Sequence, residues 1–264
     1  MHPTNCLNCG TLLTADDRFC PNCGQKSDTH RLKMSHIWHD IGHAFTHADI
    51  GFLYTIKELA IRPGQVAREY VQGKRKKYFN PFSFLFIIVG IYLISNSIFH
   101  PFTEDLGRIP PGNTTAQKKV YEKIRERVGK FQHFMNTKTN IVLFVSTPFI
   151  AAVMFLLFRR KGFYYGEHLV TMAYVNAFLS LLTIFIFGPL LYFTRTPGSA
   201  NPLYYVMLLS HVLYMGFMYY GFMGYTSKTA YFKTMGAGLV AILAWGIFSV
   251  ALGTLYIRYG FFFL

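Results

Sequence analysis

From residue 82 onward the chain alternates between stretches of about 20 apolar residues and short polar connections. A helix needs roughly 20 such residues to cross a hydrocarbon core of about 30 Å. Five stretches qualify as candidate spans, over about 82–99, 141–158, 169–193, 203–225 and 236–257. Upstream, residues 28–80 mix charge with apolar positions at helical spacing, such as Trp38, Ile41 and Phe45, then Phe52, Ile56 and Leu59. This predicts amphipathic helices over about 35–46 and 51–61, and a third that opens at Pro63 and stops near Gly73. They are too charged to span a bilayer, so they are expected along its surface or packed under the bundle. Between the first two spans, Val120, Ile124, Val128, Phe131 and Met135 repeat at helical spacing. That predicts a helix at about 115–136, which either caps the outer mouth of the bundle or is a solvated connector. Pro148 and the Gly188-Pro189 pair predict kinks. Gly216, Gly221, Gly224, Gly236 and Gly238 predict close helix approach.

Composition supports a bilayer as solvent. Hydrophobic residues make up 52% of the chain and charged residues only 14%, whereas a soluble domain carries about 25% charge. The net charge of +14 is spread as clusters at span ends: Lys74, Arg75, Lys76 and Lys77, then Arg159, Arg160 and Lys161, then Lys228 and Lys233. A cytosolic N-terminus puts all three clusters inside and the C-terminus outside. The connection over 100–140 is net basic yet would lie outside; its length and its acids weaken that objection. Lys74 to Lys77 read as a basic collar facing anionic lipid. Membrane lipids are thus expected partners and nucleic acid is not.

All four cysteines fall within the first 23 residues, as Cys6-x2-Cys9 and Cys20-x2-Cys23. Two such knuckles supply four thiolates, the closed tetrahedral shell of a structural zinc. Gly10 and Gly24, each directly after a cysteine, are expected to free the backbone for amide-to-sulfur hydrogen bonds. A module this short has almost no core, so the metal must supply its folding energy. Thiolate zinc sites persist where thiols stay reduced, which again places the N-terminus in the cytosol. The first 30 residues contain no apolar signal-peptide core. The fold class expected is therefore all-α integral membrane: a zinc ribbon at 1–27, cytosolic interfacial amphipathic helices at 28–80, and a five-helix transmembrane bundle at 81–264.

Two further groups of residues carry candidate chemistry. His36, His39, His43 and His47 stack on one helix face, near Asp40 and Asp49. They read as an interfacial polar face, as a second metal site, or as a pH-responsive or proton-handling group. Within the spans, Glu167, His168, Asn176 and His211 are the candidate polar site, since ionisable groups at membrane depth are functional candidates by default. His211 alone reads as a helix-to-helix hydrogen-bonding residue. Nothing resembles a nucleophile elbow, a P-loop, a dinucleotide-binding turn or a Ser-His-Asp set. No internal repeat suggests a secondary transporter.

The order Cys-x2-Cys-Gly, Phe19-Cys-Pro-x-Cys-Gly-Gln25, Asp49-x-Gly-Phe-Leu-Tyr-Thr55, Arg62-Pro63-Gly64, Gly73-Lys-Arg75, Tyr78 and Pro81 resembles an uncharacterised family of bacterial inner-membrane proteins common in Bacteroidota. Glu167-His168-Leu169-Val170 fits its later signature. The resemblance implies a membrane location and a zinc ribbon, and no activity. Five spans behind a cytosolic N-terminus also resemble Yip1-type membrane-trafficking proteins, a likeness of topology alone.

The function expected first is non-enzymatic: the ribbon and basic collar recruit or position a protein partner or lipid at the cytosolic face. The second is transport of a small solute, lipid or metal ion through a His-rich cytosolic mouth. A membrane enzyme with a His-bound metal comes third, because no substrate-side acid or base can be named.

Overall fold

The computed structural model describes residues 5–27, 29, 51–99, 115–194 and 201–259. Among them the regular elements are helices, with two isolated antiparallel bridges in the N-terminal knuckles. The amphipathic helix expected over 35–46 lies outside the described residues. α1 (Gly51–Ile61) and α2 (Pro63–Val71) are separated at Arg62. Steric conflict with a following proline expels a residue from the helical region, and Arg62 sits at φ −142°, ψ 61°. α3 (Pro81–Phe99) starts where Asn80 accepts from the amides of Phe82 (3.0 Å) and Ser83 (3.3 Å), with proline at the first helical position.

α4 (Thr115–Thr137), α5 (Thr139–Phe158) and α6 (Tyr165–Leu182) follow. After α6 the chain makes a π-turn over Thr183–Phe187 and continues as α7 (Gly188–Thr194). Pro189 has no N–H for the next ladder bond, and the helix widens just ahead of it. Gly188 then donates to the Thr183 carbonyl, five residues back. α8 (Pro202–Phe222) and α9 (Lys228–Tyr259) complete the chain.

The α6–α7 segment is the centre of the molecule. Its most apolar window is 78% buried, against 33% for the α5 segment and 11% for α9. α3, α5 and α8 pack along α6, and α9 lies outside against α8 and α5. α2 packs against α8 and α6, so the polar helices before the bundle tuck under it. Leu59, Val66, Ala67, Tyr70 and Val71 share one core with Phe84, Tyr174 and Phe222.

Among the described residues, three segments are long and apolar enough to cross a membrane: Thr139–Lys161, Tyr165–Thr194 and Lys228–Tyr259. The apolar part of α3, Pro81–Asn96, is shorter. α8 is long enough, but five tyrosines and His211 dilute its apolar character. α9, at 32 residues, is about 48 Å long, more than the roughly 30 Å core requires. α4 packs across its C-terminal end. Arg127 donates to the carbonyls of Ile257 (2.7 Å) and Arg258 (3.1 Å), and Phe131 lies over Gly253. These are carbonyls that the last helical turn leaves unpaired.

Candidate metal centre and the basic turn beneath it

The two knuckles are built alike. Gly10 donates to the Cys6 carbonyl and Gly24 to the Cys20 carbonyl, both at 2.8 Å. Cys6 donates to Thr11 (2.8 Å) and Cys20 to Gln25 (2.7 Å). Gly10 and Gly24 adopt φ of 78° and 70°, which only glycine takes at low cost. Their own amides close the knuckle through the cysteine carbonyl. Backbone amides of Asn8 and Cys9 reach the Cys6 sulfur and that of Thr11 the Cys9 sulfur, the amide-to-sulfur bonding the sequence suggested.

The four Sγ atoms lie within 4.8 Å of one another, with Cys6–Cys23 and Cys9–Cys20 both at 3.6 Å. Zinc–sulfur bonds of about 2.3 Å require a tetrahedral edge near 3.8 Å, so these thiols fit zinc. The donor set is saturated by cysteine, and the role is structural. The Thr11 hydroxyl, hydrogen-bonded to Cys9 at 3.2 Å, draws that thiol down to about 6, whereas burial pushes Cys6 up to about 11. Of these two, Cys9 is the readier thiolate.

The ribbon is fixed to the helices by one buried side chain. Gln25 follows the second knuckle, and its Nε2 donates to the Gly73 carbonyl at 2.8 Å. Its Oε1 accepts from the amides of Arg75 (3.1 Å) and Lys76 (3.3 Å). Gly73 lies at φ 107°, and a β-carbon there would stand 2.7 Å from Leu7 Cδ1. The turn of the basic collar is therefore also the seat of the zinc ribbon.

Glu69 organises that turn from beneath. Its carboxylate accepts from Lys77 Nζ (2.7 Å), Tyr78 Oη (2.7 Å) and Gln65 Nε2 (3.0 Å), and Lys74 Nζ lies 3.5 Å away. Burial alone would raise its pKa, but the hydrogen bonds outweigh burial and hold it at about 2. Within the collar, Lys74 and Lys77 are thus turned inward to Glu69, while Lys76 is exposed. Next along the chain, Phe79 donates to Thr55 Oγ1 (2.8 Å) and accepts from Tyr174 Oη (2.7 Å), tying α1, the turn and α6 together. Gln25 and Glu69 were not singled out as site residues from the sequence. Gln25 lay in plain view after Cys23-Gly24, but a lone glutamine or glutamate carries no spacing that marks its partner.

Two segments match family models. Residues 4–26 match a zinc-ribbon domain. Residues 49–93 match a protein of unknown function (DUF3667). Along the chain, the zinc-ribbon match precedes the DUF3667 match. The second match spans α1, α2, the collar and most of α3, the segment that holds Thr55, Gly64, Glu69, Gly73, Tyr78 and Phe79. No curated protein and no solved structure matches the chain.

The remaining candidates are placed separately. His36, His39, His43 and His47 lie outside the described residues. Glu167 caps α6, its Oε2 accepting from the Tyr164 amide at 2.7 Å. His168 is fully buried among Phe155, Phe163, Tyr219 and Phe222, with Nδ1 3.3 Å from Tyr219 Oη. Asn176 donates to Thr147 Oγ1 of α5 at 2.7 Å. His211 Nδ1 donates to Met207 O at 2.7 Å within its own helix. A cavity of about 460 Å³ lies between α2 and α8, and none of these four residues lines it.

Proposed function

We propose that this is a five-span membrane protein that recruits or positions a partner or lipid at its cytosolic face, by a non-enzymatic mechanism. The observation that carries this is the seating of the ribbon by Gln25 on the 73–77 turn. A domain on a flexible tether could serve as a grapple. One bonded to the first basic turn presents a fixed surface beside the membrane.

The five-span count draws support from packing. α3 and α8 lie along the central α6 segment, and helices packed along a spanning helix share its depth. The orientation draws support from charge. Lys161 lies over the Tyr225 ring at 5.0 Å, and Arg68 fills the space beside Gly224. Both contacts draw basic side chains to the C-terminal end of α8, which supports an N-terminus inside and a C-terminus outside. A bacterial inner membrane suits this arrangement, with the ribbon in the reducing cytosol. Transport through the bundle is the second reading, and no observation among the described residues favours it.

The test is Gln25→Ala in the full chain. Zinc content should stay at one per chain, while cross-links from Lys26 to a second protein or to lipid, made in native membranes, should be lost. Unchanged cross-links from a ribbon shown by hydrogen exchange to have come loose would refute the fixed-surface mechanism.

A further inference from the structure

The cavity between α2 and α8 is walled on one side by cations. Arg62, Arg68 and Lys74 line it, with the amides of Gln65 and Gln72 between them. Glu69 is the carboxylate in the lining; it is already held by Lys77, Tyr78 and Gln65, and Lys74 lies 3.5 Å from it. Arg62 pairs with Glu58. Arg68 has no acidic partner among the described residues. Its guanidinium occupies the space where a side chain on Gly224 would stand. The lining therefore carries an excess of positive charge and a guanidinium without an acidic partner, the chemistry that holds a phosphate.

The other wall belongs to α8. Phe217 and Tyr220 line the cavity, and Phe217 ends an exposed apolar stripe that runs up the same helix through Val206, Leu209 and Leu213. Spacings of three, four and four keep these side chains on one face. From Val206 to Phe217 the stripe is about 16 Å long, the depth of one leaflet of a roughly 30 Å core. A polar pocket that opens onto an apolar ridge of leaflet length matches a molecule with a phosphate at one end and acyl chains at the other.

We propose that this cavity binds the phosphate headgroup of an anionic phospholipid, whose acyl chains lie along the Val206–Phe217 stripe. The assignment rests on α8 lying in the bilayer. It names the lipid class and places its contact beside the ribbon, on residues mostly distinct from the collar. Arg68 reaches the phosphate directly, and Lys74 links the headgroup to the turn on which the ribbon sits.

The experiment is thermal unfolding of the zinc-loaded full chain in a neutral detergent, titrated with phosphatidylglycerol, phosphatidylcholine or inorganic phosphate. Phosphatidylglycerol should raise the midpoint saturably, and the other two should not at the same concentrations. Arg68→Gln should raise the half-saturating concentration about fivefold, as loss of one basic contact to an anionic lipid implies. Lys74→Gln serves as the second variant should Arg68→Gln fail to fold. Arg160→Gln, in an exposed cluster outside the cavity, should leave the titration unchanged.

Equal responses to the two lipids, or a phosphatidylglycerol response untouched by both cavity variants, would overturn the site. Inorganic phosphate reproducing the whole effect would overturn the lipid assignment and the membrane placement of α8 together. Because the purified protein is used, failure here leaves the cross-linking test of the ribbon standing.

Discussion

Gly64 of α2 and Gly221 of α8 meet backbone to backbone: a β-carbon on Gly221 would stand 3.0 Å from the Gly64 Cα. One on Gly64 would strike the Met218 carbonyl oxygen and the Phe222 amide nitrogen. Arg62-Pro63-Gly64 thus breaks the chain, starts a new helix, and supplies the one residue small enough to press that helix against the bundle. The contact holds the ribbon's seat at a fixed height relative to α8.

Gly64→Ala should destabilise the protein by about 2 kcal/mol, because main-chain atoms cannot swing aside as a side chain can. Gly221→Ala should cost less, its nearest contact being the wider one. Thermal unfolding in detergent measures both. An alanine at 64 that leaves the midpoint unmoved would mean that the backbones of α2 and α8 do not touch at this point.

Acid should loosen the collar before it unfolds the helices. The Glu69 pKa falls from 4.5 to about 2 on folding, so the native state binds fewer protons. Its stabilisation is complete above about pH 4.5 and is lost as pH falls towards 2. Lys77 is raised by the same contact, so its share is kept below its ordinary value of 10.5 and lost above it. Glu69→Gln should flatten the stability profile between pH 4.5 and 2 relative to wild type. Loss of zinc in acid affects both proteins equally and cancels in the comparison. Parallel profiles for the two proteins would rule out an ionised Glu69 in the fold.

Metal content should be one zinc per chain in the wild type and none in Cys20→Ser. In the variant the amides of Arg75 and Lys76 should exchange faster, because Gln25 loses its position when the knuckles open. The histidines at 36, 39, 43 and 47 are tested by the same assay on a His39→Ala/His43→Ala chain. An unchanged single zinc assigns that face to the interface, whereas two metals falling to one would establish a second site and promote metal handling.

Arg127→Ala should release the last turn of α9. Two carbonyls, of Ile257 and Arg258, lose their donor, at an expected cost of about 1 kcal/mol. Faster amide exchange confined to the end of α9 and to α4 is the expected signature. Uniform exchange across all helices would instead mean that α4 contributes to the core.

Much of this molecule was legible in the sequence because local rules decide it. The helix expected over 51–61 is found at Gly51–Ile61, and that expected to open at Pro63 does so, since prolines and polar-apolar periodicity act within a turn or two. The helix expected at 115–136 is found at Thr115–Thr137 for the same reason. The cysteine quartet was equally plain, because four thiolates at that spacing have one common use. Gly188-Pro189 announced a distortion, although its form, a widened turn at Thr183–Phe187, depended on packing around α6.

What the sequence by itself determined was the helices found among the described residues, the zinc ribbon and the apolar surfaces, because these follow from periodicity and ligand chemistry. Tertiary structure alone decided which polar residues became partners. Lys74 and Lys77 turned out to face a buried carboxylate, and Asn176 to bond Thr147 of a neighbouring helix. Gln25 found its partners some 50 positions along the chain. A hydrogen bond between distant parts of the chain is set by distance and angle across the fold, and no one-dimensional spacing encodes either.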